Sequence, residues 1–183
     1  MKFAVAALLA GGISLSQTPA RAAAELSKDD REFLETASQI NIGEIEGGKA
    51  AQKKASSAEV KMMGEQLVKD HEKAQSELKK LASSKGVQVP EEPTPADKKA
   101  MAELEKVGPE QFDKQFTDHQ LKGHKKAISL HEKAAKESKD ADIKAFAEKQ
   151  LPVLRSHRAM AEKGQSAGSN MNGDKKKAGE PNH

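Results

Sequence analysis

Apolar residues recur along most of this chain at intervals of three and four, the spacing of one face of an α-helix. Phe33, Ala37, Ile40, Glu44, Gly48, Ala51 and Ala55 form a first stripe. Val60, Met63, Leu67, His71, Ala74, Leu78 and Leu81 form a second. After a break, Phe112, Phe116, Gly123, Ala127, Leu130 and Ala134 form a third. Ile143, Phe146, Ala147, Leu151, Leu154, His157 and Ala161 form the fourth. No stretch alternates apolar and polar residues with the period of a strand.

The stripes have recognisable starts and stops. Ser27 is a candidate N-cap, with Asp30 in the capping position three residues on. Ser56-Ser57 separates the first stripe from the second, which ends near Gly86. The segment VQVPEEPTP that follows holds three prolines, and these exclude a continuous helix. Thr94 as cap, Pro95 at the first position and Asp97 at the third predict a short helix, with Met101 and Leu104 as its apolar contacts. Gly108-Pro109 stops that helix and opens the third stripe, and Lys139-Asp140 divides the third from the fourth. The predicted fold is therefore all-α: an up-down four-helix bundle of two long helical hairpins over residues 27–163, with a short helix in the connector. Gly48 and Gly64 lie eight residues either side of Ser56, at matching heights on the first hairpin. A mid-helix glycine costs about 1 kcal/mol against alanine, so the pair predicts a close approach of the two backbones.

The ends of the chain have a different character. MKFAVAALLAGGISLS combines an early lysine with an apolar run, and Ala20-Arg21-Ala22 fits a small-x-small cleavage site. Residues 1–22 are expected to be a signal peptide, with cleavage as late as residue 24 as the alternative. The run is shorter than the ~20 apolar residues that span a bilayer, and no comparable run follows. No stable membrane insertion is expected after cleavage. Periplasmic localisation is the expectation, secretion the alternative. Residues 164–183, rich in Gly, Ser, Asn and Lys, are expected to be disordered.

Charge and composition exclude several roles. Loss of Lys2 and Arg21 with the signal peptide lowers the formal net charge from +3 to +1. With no Trp or Tyr and this near-neutral balance, the chain lacks the basic field and stacking aromatics of a nucleic-acid binder. It has no Cys, so disulfides and thiolate chemistry are excluded. There is no Gly-x-Ser-x-Gly and no phosphate-cradling glycine loop. The sequence names no protein partner and no oligomeric state.

What remains is a set of polar residues inside the stripes. Glu44, His71 and His157 each interrupt an apolar face, one per helix. The third stripe is flanked by His119 and His124 about equally, and the residues alone do not choose between them. Counted from the two hairpin turns, all of these positions fall near mid-bundle. One acid or imidazole per helix at a shared level is how bundles build metal sites. A lone interior histidine is more often a satisfied core residue than a ligand, but convergence of several raises the metal reading. Asp70 and Asp113 sit at stripe edges, where solvent or a supporting role is expected, and His131 is a boundary position. The methionines are spaced as core filling rather than as a copper site.

Four segments also resemble, in order, the exported bacterial family called domain of unknown function 4142, a ferritin-like helical bundle. They are FLETASQINIGEIEGGKAA, MMGEQLVKDH, FDKQFTDHQLKGH and KAFAEKQLPVLRSH. That resemblance implies that Glu44, His71, His124 and His157 are the recurrent polar positions and that His119 is not. It also implies metal-dependent or stress-related roles. One departure matters: the chain contains no Glu-x-x-His, the pair on which ferritin-like di-iron sites are built. A single ion of Zn, Fe, Cu or Ni held by imidazoles and one carboxylate is the expectation. The alternatives are a non-catalytic envelope or stress-related interaction protein with a structural His/Glu network and, third, a metal-dependent enzyme.

Overall fold

The protein is described by a computed structural model covering residues 26–177, with side chains as far as Gln165. The expected signal peptide and His183 lie outside the described residues. Five helices follow in order: α1 (Lys28–Lys54), α2 (Ala58–Ser84), α3 (Pro95–Leu104), α4 (Pro109–Glu137) and α5 (Ala141–Lys177). There is no strand among the described residues. No helix of the described residues is long and apolar enough to cross a membrane.

The helix starts follow the capping chemistry. The Ser27 side chain accepts from the backbone N–H of Asp30, and Thr94 does the same for Asp97. At the turn between α1 and α2, Ser57 caps α2 by accepting from Val60 N–H. Asp113 of α4 holds this turn from outside, accepting from Ser57 N at 2.8 Å and from Ser56 N at 3.0 Å. The stripe-edge aspartate thus ties the two hairpins together. At the end of α2, Gly86 takes a φ of 69°, while Val87 N donates to Ala82 O and Gly86 N to Ser83 O. This is the glycine-dependent helix stop that satisfies the last carbonyls.

Every adjacent pair of long helices runs antiparallel. Gly48 faces Gly64, Glu77 meets Lys149, and Gly47 of α1 lies beside Phe116 of α4. Each hairpin is up-down, but the connector returns along α1 before α4 begins. Ser38 bonds the Pro90 carbonyl, Gly43 lies beside Asp97, Gly47 beside Met101, and Lys54 bonds the Glu105 carbonyl. The order is therefore up, down, down, up, with the single long crossover that ferritin-like bundles carry.

The backbone of α5 runs to Lys177, past residue 163 where the bundle was expected to end. No proline falls between Gly164 and Lys177, so the backbone bonding can propagate through three glycines. Pro152 sits within α5.

The apolar core is split along the bundle. Around Phe33, Leu34, Leu78, Ile143 and Phe146 lies one cluster; around Leu67, Leu104, Phe112 and Phe116 lies another. A third, small cluster of Ala127, Ile128 and Leu154 packs with Ile40 and Leu151, and the buried polar residues of the bundle interior include Ser38, Asn41, Glu44, His71, Gln75, Gln120, His124 and His157. A polar layer this deep requires internal partners.

Candidate metal centre

Three long helices each aim one imidazole into that layer: His71 from α2, His124 from α4 and His157 from α5. All three are nearly inaccessible to water, at 1–3% exposure. Their ring centroids are 5.2 to 5.9 Å apart. One ring nitrogen from each lies within 4.8 Å of the other two.

The outer nitrogens fix the protons. His71 Nδ1 lies 2.9 Å from Asn41 Oδ1, and an amide oxygen only accepts. His124 Nδ1 lies 2.9 Å from the Gln120 carbonyl, which likewise only accepts. His157 Nε2 donates to Asp70 Oδ2 at 2.9 Å. Each neutral ring has one proton, now placed on its outer nitrogen. The inner nitrogens, Nε2 of His71, Nε2 of His124 and Nδ1 of His157, are left with lone pairs. His71 Nε2 is buried without any hydrogen-bond partner. His124 Nε2 and His157 Nδ1 face each other at 3.3 Å. Two acceptors at that distance have no hydrogen to share when both rings are neutral. A cation between them satisfies both.

Metal–nitrogen bonds near 2.0–2.1 Å put neighbouring nitrogens about 3.3–3.6 Å apart in tetrahedral or trigonal geometry. The His124–His157 pair already meets that spacing. His71 would close by on the order of 1 Å to join it, a rotamer-scale adjustment.

Burial sets the charge state. It pushes His71 well below the usual imidazole range, and the positive charge its neighbours His157 and His124 can carry adds to this. His157 is also held low by burial, against the opposing pull of Asp70. Burial works against the charge of Asp70, but hydrogen bonds from Gln66 and His157 outweigh it and keep its carboxyl below the usual range. His131 is lowered by burial too, although its bond to the Ala127 carbonyl opposes this.

These shifts have one sign for stability. An unfolded chain returns His71, His131 and His157 to about 6.5, where they take up protons that they refuse in the folded chain. Stability is therefore intact above that value and is lost as pH falls from there through the lowered folded values. The metal-free protein is expected to lose urea resistance between about pH 7 and pH 5, above the carboxylate range. His131→Leu should lessen the loss. A urea midpoint flat across this window would contradict the assignment.

The other sequence candidates lie elsewhere. Glu44 is buried, but its Oε1 lies 3.9 Å from His124 Nδ1, the nitrogen on the outer side of that ring. Its Oε2 has no partner. Glu44 is not in the three-imidazole group. Nor is His119, which is half-buried. His131 packs edge-on against Phe33 with ring centroids 5.1 Å apart and belongs to the aromatic end of the core.

Sequence reasoning missed Ser38, Asn41, Gln75 and Gln120. Asn41 is seven residues before Gly48 and Gln75 four after His71, so helical spacing marked both as inward-facing. Polar identity alone hid them.

The family model for the domain of unknown function DUF4142 matches residues 15–163. The chain belongs to the DUF4142 family. None of the curated proteins is similar to this DUF4142 chain by sequence. A DUF305 fragment from Deinococcus radiodurans is similar in structure, with a TM-score of 0.70 at 11% identity over 79% of this chain and 99% of that one. CopM in the Cu(II)-bound form is similar with a TM-score of 0.62 at 13% identity, over 75% of this chain and 96% of that one. At such identities the likeness is one of fold.

Proposed function

We propose that this DUF4142 protein is an exported helical bundle that binds one transition-metal ion through His71, His124 and His157. The observation that carries the reading is the set of inward lone pairs. Every outer nitrogen is committed to an oxygen, and the inner nitrogen of His71 is buried with no partner. A structural network would pair these inward lone pairs with hydrogen-bond donors.

Three neutral imidazoles without a thiolate suit copper and zinc, which accept low coordination numbers and nitrogen donors. Iron and nickel sites usually draw on more ligands. Copper stands highest in the affinity order of divalent ions, and the similar fold of a Cu(II)-bound CopM is consistent with that choice. Asp70 and Gln120 orient the rings, as outer partners of metal-bound histidines do. Glu44 supplies negative charge beside His124 and offsets the charge of a bound dication. The apolar run Phe3–Ser16 supports export to the periplasm.

The test is titration of tag-free, demetallated protein with Cu(II) and with Zn(II), followed by elemental analysis of the desalted complex. One equivalent per chain is expected, and none in His124→Ala. Absence of uptake at micromolar metal would leave the cluster as a structural network and end the metal reading.

A further inference from the structure

The bond that places the proton of His71 is the last link of a buried chain. Ser38 Oγ donates to the Pro90 carbonyl at 2.8 Å. Gln75 Nε2 donates to Ser38 Oγ at 2.7 Å, and Asn41 Nδ2 donates to Gln75 Oε1 at 3.2 Å. His71 Nδ1 donates to Asn41 Oδ1 at 2.9 Å. Ser38, Gln75, Asn41 and His71 are all buried.

Serine, glutamine, asparagine and imidazole can each run such a chain in either direction. The Pro90 carbonyl cannot, because it only accepts. Reversal would turn both amides, make His71 Nδ1 an acceptor, and leave the Ser38 lone pairs facing the carbonyl oxygen. That arrangement sets the buried Ser38 lone pairs against the part-buried Pro90 carbonyl with no hydrogen between them, and costs the bond they now share. Reversal would also move the His71 proton to Nε2, the nitrogen that faces His124 and His157.

We propose that Ser38, Gln75 and Asn41 are positioning residues that hold His71 in its Nδ1–H form, and that the Pro90 carbonyl of the connector sets the direction of the whole chain. The connector then has a second role besides joining the hairpins. While Pro90 is docked on Ser38, His71 presents a lone pair inward. Once it leaves, both directions become available and the ready form of His71 is only a fraction of the population. Metal binding and connector docking are reciprocally coupled in this arrangement, since each favours the same tautomer. The metal half of this statement rests on the proposed function, whereas the tautomer half does not.

The experiment is long-range 1H–15N spectroscopy of the imidazoles in metal-free protein at a pH above their titration, paired with metal titration. Wild type is expected to carry the His71 proton on Nδ1. Ser38→Ala removes the link to Pro90 and should bring the Nε2–H form into view, with metal affinity about 10–100-fold weaker. Asn41→Asp keeps an acceptor for Nδ1–H without needing the connector. It should retain the wild-type tautomer and bind metal at least as well. Both variants are small changes, so the pair separates misfolding from a redirected chain.

A wild-type His71 protonated on Nε2 overturns the proposal, as does a Ser38→Ala tautomer identical to wild type. A shifted tautomer with unchanged metal affinity overturns its link to the ligand role. If no form of the protein takes up Cu(II) or Zn(II), the proposed function fails, and the tautomer spectra still decide the direction of the chain.

Discussion

Copper or zinc at about a hundred times its dissociation constant is expected to add about 2.7 kcal/mol to the stability of the wild-type protein and nothing to His71→Ala. In a domain of this size that is a rise of about 5–10 °C in melting temperature. The cause is mass action: the ion binds the assembled group of three imidazoles, which an unfolded chain does not hold together. Removal of a ring should weaken binding by more than the 10–100-fold that loss of an outer partner costs. His124→Ala and His157→Ala should behave like His71→Ala, while His119→Ala should keep the full metal-dependent rise, since that residue is half-buried and outside the group. Calorimetric scans of each variant with metal and with excess chelator make the comparison. A chelator-insensitive wild type, or an equal response in His71→Ala, would count against the site.

The period of the apolar stripes made the helices legible, because each long helix buries one face against two neighbours and exposes the rest. Counting heights from the hairpin turns was enough to place His71 and His157 at one level. It was not enough to separate His119 from His124. A stripe position says that a side chain points inward without saying which of two neighbouring helices it meets, and only the resemblance favoured His124. The same ambiguity applies to Glu44. Its burial at 7% exposure follows from its place in the stripe. Its position on the outer side of the His124 ring depends on how far α1 is rotated against α4, and no local pattern encodes that rotation. Ser38, Asn41 and Gln75 were hidden for another reason. Their partners are thirty to fifty-two residues away in sequence, so the chain they form exists only once α1, α2 and the connector are packed together. The connector's path belongs to the same class. Its prolines showed that it was not a helix, while its docking along α1 became visible only in three dimensions.

Gly48→Val is expected to destabilise the protein by about 3 kcal/mol, lowering the melting temperature by about 6–12 °C. A Cβ built at Gly48 would lie 2.7 Å from the Gly64 carbonyl oxygen and 2.9 Å from Val68 Cγ2. Val68 can rotate away, but a backbone carbonyl in mid-helix moves only with its helix. The substitution must therefore push α1 and α2 apart where they cross. Asn41 lies two turns along α1 from that crossing and His71 two turns along α2, so the displacement is carried towards the bond that orients His71. Metal affinity should fall along with stability, although Gly48 touches none of the imidazoles. The control is another mid-helix glycine. At Gly43 a Cβ would meet only Pro93 Cβ and Asp97 Cβ at 3.8 Å, an ordinary contact. Gly43→Ala should thus gain the helix propensity it lacks, about 0.4–1 kcal/mol. Gly48→Ala should lose stability, because the contact with the Gly64 carbonyl outweighs the same gain. Urea unfolding of the two alanine variants side by side reads the sign directly. If Gly48→Ala proves as stabilising as Gly43→Ala, the backbones have room to spare and the close crossing does not set the geometry of the first hairpin.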